Sequence, residues 1–163
     1  MRRIALLLVL LPMLSLALPE DSNQPIQIES NSAQRNDRDN TLVYEGAVRI
    51  VQGSMHITAD RVTVHFVDGE PERIVCDGTP ATYRQQQKAN AAPIDARARQ
   101  IDYHLNDNLV VLTGSARVEQ EGSVLEGARI TYDVEREQMQ ARGDDTDRRI
   151  RMVIPPKQQP ESP

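Results

Sequence analysis

Residues 42–50 read Leu-Val-Tyr-Glu-Gly-Ala-Val-Arg-Ile, and this alternation of apolar and polar side chains decides the fold class. Successive side chains of a β-strand point to opposite faces, so a period of two places Leu42, Tyr44, Val48 and Ile50 on one face. A strand with one apolar and one polar face covers a core on one side and meets water on the other.

Three further runs, at residues 61–66, 100–105 and 129–134, keep the same alternation, and Gly-, Asn- and Asp-containing turns separate them. At this spacing the chain is predicted to be all-β, with a dozen or so short strands. A short helix within residues 30–39 is a weak alternative to strand there.

An internal repeat organises these strands. Placing Gly46 over Gly114 aligns residues 46–52 with 114–120 and, at the same offset, residues 61–64 with 129–132, without a gap. We call this shift the repeat offset. The other explanation for this match is coincidence between two alternating stretches. A true repeat indicates strand pairs stacked along one axis, each with an apolar face to cover. Both glycines lie in mid-strand, where glycine usually marks a bulge or a bend.

Composition excludes one large class of partner. The 163 residues carry 19 Lys and Arg against 24 Asp and Glu, a net charge of −5, with no Trp and 3% aromatic residues. Nucleic-acid binders normally present a basic surface with stacking aromatic side chains, so no nucleic-acid partner is expected.

The N-terminus has the pattern of a secretory signal peptide, at residues 1–17. Two arginines precede an apolar run, small residues follow at Ser15 and Ala17, and cleavage is expected near Ala17. An uncleaved anchor is the alternative, but the run is short for a membrane span. The predicted domain is then 18–154, and the Pro-rich residues 155–163 are predicted to be disordered.

No residues in the sequence form a recognisable catalytic or metal-binding set. The three histidines, His56, His65 and His104, lack ligand spacing, and no phosphate loop or nucleophile elbow is present. We expect no cofactor, no metal and no enzymatic activity. The single cysteine, Cys76, lies in a strand-like run and is expected to be a small buried residue rather than a reactive thiol.

Several segments, in order along the chain, resemble one known family. They are Gln-Pro-Ile-Gln-Ile-Glu-Ser at 24–30, Gly-Ala-Val-Arg-Ile at 46–50, Pro-Ala-Thr-Tyr at 80–83, Val-Val-Leu-Thr-Gly at 110–114 and Ile-Thr-Tyr at 130–132. Each is weak alone, but their order and spacing resemble the LptA/OstA family of periplasmic lipopolysaccharide-transport bridge proteins.

The resemblance implies a twisted antiparallel β jelly roll of two facing sheets, open at both ends. It also implies a periplasmic protein that binds lipopolysaccharide acyl chains between the sheets. The expected partners are copies of the same chain, joined head to tail, an LptC-type inner-membrane-anchored protein and an LptD-type outer-membrane receptor. The first strand (26–30) and the last strand (149–154) are the expected docking edges, because open sheet edges invite strand addition.

A hollow, through-running aliphatic slot is the expected binding site. By the resemblance, Ile26 and Ile28 line it near one open end, and the alternating apolar residues of the middle line the rest. The expected lipid-binding residues are Ile26, Ile28, Leu42, Tyr44, Val48, Ile50, Ile57, Val62, Val64, Phe66, Ile101, Tyr103, Leu112, Val118, Leu125, Ile130 and Tyr132.

Other functions remain compatible with the pattern. A structural or adhesive envelope module would have a filled core and no ligand. A secreted hydrolase could use a jelly-roll scaffold, although no catalytic residues are recognisable. An LptC-type protein is disfavoured, because that class keeps its N-terminal anchor.

Overall fold

The structure, a computed structural model, describes residues 21–86, 91–144 and 149–156. The predicted signal peptide lies outside the described residues, as does the predicted tail from residue 157 onward. Within the described ranges there is no helix of the length and apolar character needed to cross a membrane.

The described chain forms one antiparallel sheet of ten strands after a single 3-10 turn at Asp21–Asn23. Six of the strands are 11 to 16 residues long, so the prediction of a dozen or so short strands is wrong. The strands are β1 (Gln27–Glu29), β2 (Ser32–Asn36), β3 (Thr41–Gln52), β4 (Met55–Val67), β5 (Glu70–Gln85), β6 (Ile94–His104), β7 (Leu109–Gln120), β8 (Ser123–Asp133), β9 (Gln138–Arg142) and β10 (Arg151–Val153).

Strands β3 to β8 are neighbours in chain order, and short strands complete the sheet at each side. Both β1 and β2 pair with β3, and both β9 and β10 pair with β8. The weak helix alternative within residues 30–39 is not adopted, because β2 instead pairs with β3 along its whole length.

A line of β-bulges bends the six long strands at the same level. The pairing register shifts between Glu45 and Val48 in β3, and a matching shift occurs in every following pair. Gly46 and Gly114 both have φ +83°, a conformation open to glycine at little cost. The prediction of a bend at these two glycines is confirmed.

The bend divides the sheet into two facing halves, and each long strand contributes to both. We call them the front and rear half-sheets. The front half-sheet contains residues 32–36, 41–45, 61–65, 73–77, 100–104, 109–113, 129–133 and 138–142, and the rear half-sheet contains 27–29, 48–52, 55–59, 81–85, 94–98, 116–120, 123–127 and 151–153. This is the expected all-β jelly roll.

The internal repeat is visible in the backbone. Asn40 and Asn108 precede β3 and β7 with φ of 48° and 49°. Their carbonyl oxygens accept hydrogen bonds from the amides of Phe66 and Val134, at 3.0 and 2.9 Å. Because the two acceptors and the two donors are each separated by the repeat offset, the backbone repeats at these positions as the sequence does.

One apolar core joins the two half-sheets. It includes Ile50 and Ile57 of the rear half-sheet and Ile101 and Ile130 of the front half-sheet, all with no solvent-exposed surface. Since residues from both halves belong to one buried cluster, the half-sheets face each other and the interior lies between them.

Candidate functional site

Side chains that point inward from neighbouring strands form apolar rows across the sheet. Partners in a cross-strand pair share a face, so the register defines each row. The rear row is apolar from its first strand to its last: Ile28, Ile50, Ile57, Tyr83, Ala96, Val118, Leu125 and Met152.

The front half-sheet has an equivalent row. Its members are Ala33, Tyr44, Val62, Cys76, Ile101, Leu112, Ile130 and Ala141. Each row crosses eight strands, which spans about 34 Å at a spacing of about 4.8 Å between strands. Neither row contains a charged side chain, so the interior offers a continuous apolar path.

Every residue expected to bind lipid belongs to the core or packs against it. Six are half-buried: Ile26, Ile28, Leu42, Tyr44, Phe66 and Leu125. The others are buried: Val48, Ile50, Ile57, Val62, Val64, Ile101, Tyr103, Leu112, Val118, Ile130 and Tyr132. The structure therefore brings the set together in one interior, while their contact with lipid stays a prediction.

The expected hollow slot is not open at its centre. Ile50, Ile57, Ile101 and Ile130 expose no surface even to a water-sized sphere, so the wider space an acyl chain needs is absent around them. The physical reason is that apolar side chains on facing sheets gain dispersion contacts by closing on one another.

Apolar side chains become more accessible at the two edges of the sheet, near β1 and β2 on one edge and near β9 and β10 on the other. Ile28 on β1 and Leu42 and Tyr44 on β3 are half-buried at one side. Leu125 on β8 and Met139 on β9 are half-buried at the other. These partly covered residues continue the buried rows outward, so both ends of the interior present apolar surface.

A polar cluster closes one margin of the rear half-sheet. The Asp21 carboxylate accepts hydrogen bonds from the Ser54 amide at 2.7 Å and from the Gln85 side-chain amide at 2.8 Å. The Tyr83 hydroxyl donates to the Gln85 side-chain oxygen at 2.6 Å. These bonds attach the segment before β1 to the turn between β3 and β4 and to the end of β5.

Three tyrosines of the buried core lie on the two half-sheets, Tyr83 on the rear one and Tyr103 and Tyr132 on the front one. Burial raises the pKa of Tyr83, and its phenol also interacts electrostatically with those of Tyr132 and Tyr103 on the front half-sheet. Burial likewise raises the pKa of Tyr132 to about 12, and it raises the pKa of Tyr103, to which Asp21 contributes. Charging these phenols is unfavourable because they are removed from water.

The sequence-based set omitted several inward residues. Ile74, Tyr83 and Val110 are buried in the core, and Met139 packs against it. Alternation around residues 73–77 could have identified Ile74. Tyr83 was harder to assign, because the bulge before Ala81 breaks the phase of β5.

Titratable and nucleophilic side chains are the other candidates for a functional site. No cluster of three or more potential metal ligands occurs in the ranges 21–86, 91–144 and 149–156. Cys76 is fully buried, as predicted, and burial raises the pKa of its thiol to about 12, which keeps it protonated and unreactive. A cavity of about 840 Å³ lies along the bend, where bulge residues such as Arg99 and Gly114 line it. Its lining includes Arg97, Arg99 and Arg117, and none of the expected lipid-binding residues.

Comparisons with known proteins agree with this architecture. Residues 27–138 match the family described as LptA/(LptD N-terminal domain) LPS transport protein. The chain belongs to this family. It is 38% identical over 141 residues to the lipopolysaccharide export system protein LptA of Escherichia coli (strain K12), covering 85% of this chain and 76% of that protein. It is 37% identical over 125 residues to LptH of Pseudomonas aeruginosa, covering 76% and 71%.

A solved structure supports the fold independently. The crystal structure of LptH, the LptA-homologous periplasmic component of the lipopolysaccharide transport device of Pseudomonas aeruginosa, superposes with a TM-score of 0.78 at 34% identity. The match covers 85% of this chain and 100% of that chain. The bent, open sheet is thus the fold of this lipopolysaccharide-transport family.

Proposed function

We propose that this protein binds the acyl chains of lipopolysaccharide between its half-sheets and carries the lipid across the periplasm. The observation that carries the proposal is the pair of uncharged inward rows, which cross the sheet from one edge to the other. Family membership supports a transport role rather than catalysis. The protein would act as a non-enzymatic carrier.

The physical problem is to move an insoluble lipid through water. Each methylene buried is worth about 0.8 kcal/mol, so the lipid does not leave a membrane unaided. Contacts with Ile, Leu and Val side chains are non-directional, so an acyl chain slides from one strand to the next without breaking a specific hydrogen bond. Rows of similar side chains keep the binding free energy nearly level along the path.

Because the centre is closed, binding requires the half-sheets to part. The margin opposite the bend is where they can separate, since the covalent chain joins them at the bend. Acyl chains would then replace the contacts that the core side chains make with one another. The sugar part would stay in water, where its polar groups keep their hydrogen bonds.

The proposed bridge joins two membranes. At the two sides of the stack, β1 and β10 leave backbone groups available for strand addition. Copies of this chain would join head to tail, with an LptC-type inner-membrane-anchored protein at one end and an LptD-type outer-membrane receptor at the other. In this role the mature chain is periplasmic after signal-peptide cleavage near Ala17.

Photo-crosslinking tests the lipid site. A benzophenone amino acid at Tyr44 or Leu125, both half-buried and inward, is expected to label lipopolysaccharide strongly. The matched control is Glu45, the exposed neighbour of Tyr44, whose carboxylate pairs with Arg61. Equal labelling from Tyr44 and Glu45 would contradict the interior site.

A charge in the interior gives a second test. Leu112→Asp should abolish lipopolysaccharide binding, and circular dichroism of the variant separates lost binding from unfolding.

Light scattering tests self-association. Proline has no backbone N–H, so Ile28→Pro and Met152→Pro are each expected to disrupt strand addition and reduce oligomer mass. Unchanged association in both variants would refute docking at these edges.

A ligand-free envelope module is a second candidate, and the closed centre of the interior favours it. Native mass spectrometry of the purified protein separates the two. Co-purified lipid and a ladder of oligomers indicate the carrier, whereas a bare monomer indicates the module.

A further inference from the structure

The cavity along the bend, which we call the bend cavity, is positively charged. Its lining contains five arginines: Arg97, Arg99, Arg117, Arg149 and Arg151. Among the described residues that line it, Glu126 alone is acidic, so the formal charge of the lining is +4. The whole chain has a net charge of −5. A cleft lined by one sign of charge raises the local concentration of the opposite ion, so the bend cavity attracts anions to one place on a negatively charged protein.

Two of these arginines lie directly opposite each other. Arg97 of β6 and Arg117 of β7 are cross-strand partners. The neighbouring pair, Ala96 and Val118, belongs to the core, so Arg97 and Arg117 point to the outer face of the rear half-sheet. Like charges in directly opposed positions destabilise a sheet. The pair therefore has a cost unless an anion lies between the two guanidinium groups.

Carboxylates of the chain neutralise only part of this charge. Arg117 donates hydrogen bonds to Glu126 at 2.6 Å and to Glu119 at 3.2 Å. Arg97 and Arg99 form no ion pair and donate no side-chain hydrogen bond within residues 21–86, 91–144 and 149–156. The donors of these two guanidinium groups thus remain available to a ligand.

The internal repeat shows the same backbone with different charges. At the repeat offset, Arg97 corresponds to Glu29 and Arg117 corresponds to Arg49. Glu29 and Arg49 are also cross-strand partners. The first half of the chain therefore places an anion opposite a cation where the second half places two cations opposite each other.

The bulge glycines differ in the same way. A Cβ at Gly46 would lie 2.6 Å from Asn31 Nδ2, and a Cβ at Gly114 would lie 2.5 Å from Arg99 Nε. Asn31 and Arg99 are separated by the repeat offset, so a neutral side chain and a cationic one cover equivalent glycines. Because the bend forms with either, the fold does not require the positive charges at positions 97 and 99.

We propose that the bend cavity binds a phosphate monoester through Arg97, Arg99 and Arg117. Each guanidinium presents paired N–H donors that match two phosphate oxygens, and a dianion between opposed arginines replaces their repulsion with attraction. A phosphate monoester has three peripheral oxygens to share among three arginines, whereas a carboxylate has two oxygens and a single charge. The volume of about 840 Å³ also accommodates a sugar-sized group beside the phosphate.

This site is distinct from the proposed path of the acyl chains. The inward rows lie on one face of the rear half-sheet, and the pair of Arg97 and Arg117 lies on the other. The proposal thus goes beyond the carrier function and does not depend on it.

Isothermal titration calorimetry of the purified protein with glucose 1-phosphate, at constant ionic strength, tests the site. The natural chain is expected to bind this probe saturably and not to bind glucose. Arg97→Glu, which copies the repeat equivalent, should weaken binding about tenfold or more, because it removes charge-assisted hydrogen bonds and adds repulsion. Equal affinity in the natural chain and Arg97→Glu would overturn the proposal.

The matched control is Arg49→Ala. Arg49 lies in the same outward row of the rear half-sheet but does not line the bend cavity. Its removal should leave the affinity for glucose 1-phosphate unchanged. A loss equal to that of Arg97→Glu would show a general charge effect and would contradict a defined site.

Unfolding measurements separate a ligand site from a structural role. Without ligand, Arg97→Glu should raise the midpoint of urea unfolding, because it replaces opposed cations with the arrangement of Glu29 and Arg49. Arg99→Asn, the other substitution taken from the repeat, should keep the fold and weaken binding of glucose 1-phosphate. A clear loss of stability in Arg97→Glu would show that this arginine serves the fold and would count against the proposal.

A second probe distinguishes the two sources of a phosphate monoester. Glucose 1-phosphate is soluble, whereas phosphatidic acid presents the same group at a membrane surface. Cosedimentation with phosphatidylcholine vesicles, with and without phosphatidic acid, measures the second source. Cosedimentation that requires both phosphatidic acid and Arg97 would support the site and assign it to a lipid headgroup. Binding of neither probe would overturn the proposal, while labelling from Tyr44 decides acyl-chain binding separately.

Discussion

Two neighbouring valines allow the interior to be tested with a minimal change. Val110 and Val111 are both buried in β7, at 1% and 3% exposure. Val110 belongs to the core and pairs with Tyr103 and Tyr132, whereas Val111 lies outside the core cluster and pairs with Asp102 and Thr131 on the outer face. The two valines thus differ in the face they occupy.

The expected magnitude follows from what alanine removes. Each Val→Ala change deletes about two methylene equivalents, worth about 1.6 kcal/mol of transfer free energy, and the residual cavity brings the loss to about 2–3 kcal/mol. In the absence of lipid both variants should lose a similar free energy of unfolding, measured by urea denaturation.

Lipopolysaccharide should distinguish them. A flexible acyl chain between the half-sheets can fill the space left at Val110, as apolar ligands fill apolar cavities. The loss at Val110→Ala should then shrink by about 1 kcal/mol with lipid present, which corresponds to about fivefold tighter binding. The loss at Val111→Ala should stay the same. An equal change in both variants, or none in either, would refute the reasoning.

Two further predictions follow from the fold. Gly114→Ala should destabilise the protein more than Gly69→Ala. Both glycines have positive φ, but a Cβ at Gly114 would lie 2.5 Å from Arg99 Nε, whereas a Cβ at Gly69 would have no other atom within 4 Å. Equal losses of stability in thermal unfolding would contradict a tight bend. Tyr83 and Tyr132 should remain protonated at pH values above 10 in ultraviolet titration, because burial raises their pKa. The stability that comes from keeping these phenols neutral is fully present below the unfolded-state pKa of about 10, and it is lost as the pH rises from there through the folded-state pKa. Titration of the Tyr83 and Tyr132 phenols near pH 10 in the folded protein would contradict their burial.

Periodicity predicted which residues face inward. Leu42, Tyr44, Val48 and Ile50 lie on the inner face of β3, as their alternation indicated. A period of two depends only on backbone geometry, so it carries over directly from sequence to structure. The repeat also located the bend at Gly46, because glycine tolerates the required φ.

Strand number and the closed centre could not be obtained in the same way. Ala47 and Ser115 adopt φ of 46° and 52° within the bulges, a conformation that their residue types do not signal. Sequence therefore did not show that strands continue through the bend. Alternation likewise assigns faces but does not set the distance between facing sheets, which depends on the packing of side chains such as Ile57 and Ile101.

The position of the acyl chains can be measured directly by nuclear magnetic resonance. In a deuterated chain with protonated Ile and Val methyl groups, bound lipopolysaccharide should give nuclear Overhauser effects from its acyl methylenes to the methyls of Ile57, Ile101 and Ile130. The outward methyls of Val111 should give none. Acyl contacts at Val111 with none at the three isoleucines would contradict a lipid path between the half-sheets.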